Sequence, residues 1–143
     1  MVFLKGGHKL YNYEFPRPSV TATIVVYNRY KHCFLIGKRS IDAGAYPDTW
    51  SFPGGFLNAK SDTFEGETIE RCAIRELKEE TGIKIEEDQL QLVSICSNPD
   101  VDPRAHVVNI CYLVNLANWQ TSDMKAGDDI QELEWLRVQN VRE

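Results

Sequence analysis

Near its start the chain alternates two apolar runs with a polar break: SVTATIVVY (Ser19 to Tyr27) and CFLIGK (Cys33 to Lys38) flank the turn-like NRYKH. Their β-branched and apolar content predicts a pair of strands. TWSFP, from Thr49 to Pro53, approaches another strand and runs into the Gly54-Gly55 pair. The period then changes. Ile69, Ala73 and Leu77 recur at helical spacing and predict a helix from Glu67 to Thr81, with Gly82 where a left-handed C-terminal cap falls. Gln89 to Cys96 and His106 to Leu116 read as two further strands of mixed apolar character, and Glu132 to Val138 as the last. Strands before and after one central helix argue for an α/β fold, a mixed β-sheet with the helix packed on it.

The polar side of that helix raises the first chemical question. Glu76, Glu79 and Glu80 cluster on the face adjoining the apolar stripe, at spacings of three and four. Glu67 and Arg71 form a favourable pair one turn apart, and Arg75 with Glu79 a weaker, reversed one, but Glu76 and Glu80 have no such explanation. Like charges one turn apart cost a few tenths of a kcal/mol each, and the negative end of the helix dipole adds to the penalty. A hard divalent cation would compensate: Mg²⁺ takes oxygen ligands and uses few carboxylates, with waters and substrate phosphates completing its shell. Backbone carbonyls of the Gly54-Gly55 turn could join it, because missing side chains allow close approach. A solvated acidic helix face is the competing reading, and spacing alone leaves both open.

Composition narrows the field. With 143 residues, 43% hydrophobic and 26% charged, the chain is expected to form one globular domain, 1–143, and not a disordered or fibrous segment. No run approaches a membrane span, and MVFLKGGHKL lacks the apolar core and cleavage site of a secretion signal, so no membrane partner and a cytoplasmic address are expected. Cys33, Cys72, Cys96 and Cys111 are widely spaced without a C-x-x-C pair, and buried free thiols are the expectation for them. A net charge of −5 disfavours a long nucleic acid as partner, while a local pocket could still take a small phosphorylated ligand.

Residues 67 to 83 resemble the second part of the Nudix box: Glu67, seven residues, Arg75-Glu76, Leu77, one residue, Glu79-Glu80, one residue, Gly82, then Ile83. One departure is plain. The family places five residues between the box glycine and its first glutamate, whereas Gly55 and Glu67 are separated by eleven (FLNAKSDTFEG), which reads as a six-residue loop insertion before the helix. Ser61 takes the glycine position only if the family spacing is kept strictly.

The resemblance implies a Nudix α/β/α sandwich and metal-dependent cleavage of a nucleoside diphosphate linked to another moiety. It implies Mg²⁺, with Mn²⁺ as the alternative, and makes Glu76, Glu79 and Glu80 ligands or near-ligands, the Gly54 carbonyl a backbone ligand, and Arg75 a group that orients a glutamate. Asp128 and Asp129, in AGDD, are candidates for a loop carboxylate, the other reading being an ordinary turn.

YEFPRPSVTATIVVY, WSFPGGF, SNPDVDPRAHVVNICYLV and AGDDIQELEW look like segments of the ADP-ribose pyrophosphatase group. Proteins of that group tend to carry a proline a short way after the box, and Pro99, sixteen positions beyond Ile83, fits that habit. Arg104 and Arg39 are candidates for facing the diphosphate, or are solvated strand-end charges. Tyr46, Phe52, Phe56 and Tyr112 are stacking candidates, while Trp135 and His106 read as structural and His8 and His32 carry no argument. After the last strand only VQNVRE follows, where the family commonly continues into another helix; a homodimer partner covering that face, or a shorter sheet edge, is expected.

Three functions are compatible with the resemblance. The first is hydrolysis of ADP-ribose to AMP and ribose 5-phosphate. The second is a sanitising nucleoside triphosphatase. The third, a non-catalytic ADP-ribose sensor, resembles regulators that carry an additional DNA-binding domain, for which this chain leaves no room.

Overall fold

The computed structural model describes residues 13–140, together with two short paired strands, β1 (Val2–Phe3) and β2 (Lys9–Leu10). His8 and residues 141–143 of VQNVRE lie outside the described residues.

The main sheet is built on β3 (Ser19–Asn28), whose alternating pattern turns Ala22, Ile24 and Val26 into the core. β3 runs on into β4 (Cys33–Arg39) through a turn closed by Asn28, whose buried side chain accepts from the Tyr30 and Lys31 N–H groups and donates to Asn118 Oδ1. The hairpin is paired only at its base, Tyr27 with Phe34 and Asn28 with Cys33, and then splays open. Two short strands fill the gap. β5 (Trp50–Ser51) pairs with β4, and β6 (Gly54–Phe56) pairs with β3, so that Thr23 faces Gly54 and Thr21 faces Phe56. Pro53 bridges them, its carbonyl accepting from the Ile24 N–H at 2.8 Å.

The helix α1 (Ile69–Thr81) packs across β3 and β6. The Thr68 side chain caps its start by accepting from the Arg71 N–H, and Gly82, at φ 73°, caps its end in the left-handed region that glycine adopts without strain. After α1 a short 3-10 turn, Glu87–Gln89, leads into β7 (Gln91–Cys96), then β8 (Val107–Leu116) and β9 (Ile130–Arg137). β8 lies parallel to β3 along ten residue pairs, β7 is antiparallel to β8, and β9 is antiparallel to β4, giving a mixed seven-stranded sheet. This is the expected α/β layering, with α1 the one α-helix among the described residues. Ile24, Val26, Leu35, Cys72, Ala73, Leu77 and Val114, all fully buried, form its centre.

Three expectations need correction. The helix begins at Ile69 rather than Glu67, because Thr68 takes the cap. The strand expected at Thr49 to Pro53 is two strands interrupted by Pro53, the second being the double glycine itself. Of the four free cysteines only Cys33 and Cys72 are buried; Cys96 is exposed at the end of β7, a sheet-edge strand whose side chains are all exposed.

Leu77 is the largest fully buried apolar side chain of α1. Replacing it with Ala is expected to destabilise the fold by about 3 kcal/mol, read as a lower urea midpoint at unchanged slope.

Candidate active site

The acidic end of α1 meets two backbone segments. The first is the loop before β9. Its N–H groups take up carbonyls left without helical partners: Lys125 donates to the Thr81 carbonyl at 2.9 Å and Gly127 to the Glu80 carbonyl at 3.0 Å. A Cβ at position 127 would lie 2.4 Å from the Glu79 carbonyl oxygen, so this approach requires glycine. The turn closes through the Ile130 N–H on the Gly127 carbonyl and sets Asp128 at φ 51°, a left-handed conformation uncommon for a residue with a side chain. The result is that carboxylate oxygens of Glu76, Glu79 and Asp128 all lie within 4.8 Å of one another.

The second segment is the Gly54-Gly55 strand. The Gly54 N–H donates to Glu80 Oε2 at 2.9 Å. A Cβ on Gly55 would fall 2.4 Å from the carboxylate carbon of Glu76, and one on Gly54 would fall 2.2 Å from the Ala22 carbonyl oxygen. Gly55 is therefore needed to bring this strand against the helix, and Gly54 to seat it on β3.

Arg75 organises the remaining glutamates. Its Nε and Nη2 donate to the two oxygens of Glu67 at 3.0 and 2.8 Å, its Nη1 to Glu76 at 2.7 Å and to Glu79 at 3.0 Å, and its Nη2 also to the Phe56 carbonyl at 3.1 Å. The insertion leaves this network untouched. Asn58 N–H donates to the Glu67 carboxylate at 2.8 Å and Glu67 N–H to the Asn58 carbonyl at 3.1 Å, pinching the loop shut at its neck. The Ser61 N–H donates to the Phe64 carbonyl inside that loop, so Ser61 does not stand at the box glycine's place.

Charge follows these partners. The Arg75 guanidinium holds Glu67 below the usual carboxylate range. Burial raises Glu76 despite Arg75, with Glu79 and Asp128 adding to the rise. Glu80 is 3% exposed and faces no guanidinium as closely; burial pushes its carboxyl up to about 8, with the Gly54 N–H opposing and Glu76 and Asp129 reinforcing. The close set Glu76, Glu79 and Asp128, with Glu76 buried, fits a hard divalent cation, because the donor oxygens are of the type such an ion takes and its charge would relieve the burial; buried Glu80 adjoins Glu76 without belonging to that set.

Glu76, Glu80, Asp128 and Asp129, with Gly54 and Gly55, line a cavity of about 600 Å³, while Glu79 lies outside its lining. Arg39 lines it, with Nε on the Ala45 carbonyl at 2.9 Å and Nη2 paired with Asp129. Phe52 lines it too, edge-on to Phe34. Arg104 lines it as well, its guanidinium 4.8 Å from the Phe56 ring centre and 5.8 Å from that of Tyr46, held by Asp102 through its Nε and Nη2, while that pairing keeps the Asp102 carboxyl down at about 2. Pro99 does not line the cavity; it sits exposed in the turn that brings its neighbours Asn98 and Val101 to the wall. Tyr112 is no stacking group: it is 5% exposed, part of the core, and donates to Glu70 at 2.9 Å. Trp135 packs against the core and His106 meets the Ser97 carbonyl, as expected of structural residues.

The sequence reading missed Thr21, Thr23 and Asn109, which also line the cavity. Both threonine hydroxyls donate to Asn109 Oδ1, at 3.0 and 2.9 Å. Their signal was the polar phase of two otherwise apolar strands, which alternates with the core positions.

Residues 17–143 match the family model described as NUDIX domain. An ADP-ribose pyrophosphatase from Methanocaldococcus jannaschii is 36% identical over 94 residues, covering 64% of this chain and 48% of the relative. A nucleoside triphosphatase, NudI, from Escherichia coli is 26% identical over 117 residues, 76% of this chain and 75% of the relative. Among solved structures, a bifunctional NMN adenylyltransferase/ADP ribose pyrophosphatase from Francisella tularensis, complexed with AMP and a manganese ion, superposes with a TM-score of 0.71 at 26% identity, over 88% of this chain and 36% of that one. The chain thus spans about half or less of the two ADP-ribose pyrophosphatases it matches.

The Glu80 carboxyl carries a pH signature. Its folded value of about 8 lies above the ordinary 4.5, so between those values the folded state holds a proton that the unfolded state has lost. Metal-free protein should therefore lose stability as pH rises from about 5 to about 8, by up to about 1.4 kcal/mol per unit. Glu76 acts in the same direction. Thermal melts in chelator across this range are expected to show the decline in wild type and a flatter profile in Glu80→Gln.

Proposed function

The chain belongs to the NUDIX domain family, and from that premise we propose that it is a divalent-cation-dependent hydrolase of a nucleoside diphosphate linked to another moiety, with ADP-ribose as substrate. Water attacks one phosphorus of the diphosphate, the bridging P–O bond breaks, and AMP and ribose 5-phosphate leave. The observation that carries this reading is the makeup of one cavity, which is lined both by the buried carboxylates Glu76 and Glu80 and by an arginine lying against two aromatic rings.

Glu76, Glu79, Glu80 and Asp128 would hold Mg²⁺ or Mn²⁺, with the Gly54 carbonyl beside them. When bound, such an ion neutralises phosphate charge and lowers the pKa of the attacking water. Arg75 fixes the rotamers of Glu76 and Glu79 through hydrogen bonds of 2.7 and 3.0 Å, leaving the other oxygen of Glu76 for the cavity. The Gly54 N–H holds one oxygen of Glu80 in the same way. Burial raises the proton affinity of Glu76 and Glu80, which makes them the candidates to accept the water's proton once they are ionised. Arg104 brings a guanidinium to the same cavity, where the phosphates of a bound nucleotide would reach it. Phe52, Phe56 and Tyr46 offer aromatic surface for the adenine. Pro99 shapes the turn that carries Asn98 and Val101.

The relationship to the Methanocaldococcus jannaschii ADP-ribose pyrophosphatase favours this substrate, and the lower identity to NudI supports the second reading, a nucleoside triphosphatase using the same carboxylates. A panel of ADP-ribose, NADH, diadenosine polyphosphates and nucleoside triphosphates, with Mg²⁺ or Mn²⁺, separates them. ADP-ribose is expected to turn over well above the rest, and Glu80→Gln to lose about 10²-fold or more with its fold intact. A triphosphate turned over fastest would favour the second reading, and no turnover of any member would sink both.

A further inference from the structure

Arg39 stands where two loops meet, and its hydrogen bonds run to both. A register shift between Lys38 and Arg39 in the β4–β9 pairing marks an irregularity of the kind that re-aims a side chain. The guanidinium donates through Nε to the Ala45 carbonyl at 2.9 Å, in the loop that carries Tyr46, and through Nη2 to Asp129 Oδ2, in the turn that carries Asp128. The backbone repeats the connection: Arg39 N–H donates to the Thr49 carbonyl at 2.8 Å and Ser40 N–H to the Asp129 carbonyl at 2.7 Å.

That turn needs such support. Asp128 is held at φ 51°, and a side-chain-bearing residue persists there only where its surroundings over-determine it. Among the described residues Asp129 has one charge partner, Arg39, and its second oxygen, Oδ1, is buried without a hydrogen bond. Removing the guanidinium would leave both oxygens of a partly buried carboxylate uncompensated, and the turn would relax to hydrate them.

We propose that Arg39 is a positioning residue: by gripping Asp129 it holds the strained turn that places Asp128 within 4.8 Å of Glu76 and Glu79. The inference rests on the divalent-cation reading given above. It differs from the simpler idea that Arg39, which lines the cavity, contacts substrate phosphate directly. Tyr46 is held by the same guanidinium through Ala45, so the metal-side and aromatic walls share one anchor.

Mn²⁺ binding without nucleotide, followed by electron paramagnetic resonance, distinguishes the two. Arg39→Gln and Asp129→Asn are each expected to weaken Mn²⁺ about tenfold, the range seen when a group supporting a metal ligand is removed. The double variant is expected to be no weaker than either single one, because both act through the same pair. Raising Mn²⁺ should restore turnover of ADP-ribose with its KM unchanged. A folded Asp129→Asn with wild-type Mn²⁺ affinity overturns the proposal, as does an Arg39→Gln variant that binds Mn²⁺ normally and raises only KM. Wild-type protein that binds no Mn²⁺ overturns the cation reading and the inference together, whereas binding and turnover indifferent to both variants overturn the inference alone.

Discussion

One guanidinium sets the terms for everything around it. Arg75 faces Glu67, Glu76 and Glu79 at once and ties them to the Phe56 carbonyl of β6. Without it α1 would carry like charges a turn apart near its negative end, and the helix would gain by turning that face to water. With it, the carboxylates can be drawn against the Gly54-Gly55 strand and partly buried. The compensation is incomplete: one cation stands against three carboxylates, and Glu80, deeper still, has a single backbone N–H. The leftover negative charge is what makes the cavity a place for a cation and a diphosphate.

The sheet supplies the opening. Because β3 and β4 part after two residue pairs, a strand as short as Gly54–Phe56 can enter between them, with no side chain to hold it away from Glu76. The loop before β9 closes on the same spot from the other side by capping the helix carbonyls of Glu80 and Thr81. Helix end, split hairpin and capped loop are one arrangement, in which main-chain hydrogen bonds fix where side chains of distant sequence meet. The six-residue insertion is pinched off at Asn58 and Glu67 and so adds length without moving these parts.

Much of this was legible before any coordinates. The end of α1 followed from a 3.6-residue stripe closed by Gly82, its start was placed two residues early because the Thr68 cap was not read, and the spacing of Arg75, Glu76, Glu79 and Glu80 carried the family resemblance. What stayed hidden depends on tertiary contact. Nothing in AGDD says that Gly127 will seat on the Glu79 carbonyl, which is what brings Asp128 to the glutamates and leaves Asp129 for Arg39. The double glycine gave no strand signal because a period-two pattern needs side chains. Tyr112 went to the wrong side although it shares the apolar phase of β8 with Ile110, Val114 and Leu116; the parallel register with β3, Ile24 opposite Tyr112, places that phase in the core. Cys96 looked buried because an apolar neighbourhood in sequence does not reveal that β7 lies at the edge of the sheet.

The central claim is that the carboxylates gathered by Arg75, Gly55 and Gly127 form one cation site. Crystals grown with Mn²⁺, measured at the manganese absorption edge, test it most directly. The account predicts a single strong anomalous peak bounded by Glu76, Glu79, Glu80 and Asp128, within reach of the Gly54 carbonyl. A peak elsewhere, or none at full Mn²⁺ occupancy of the crystal solution, would contradict it.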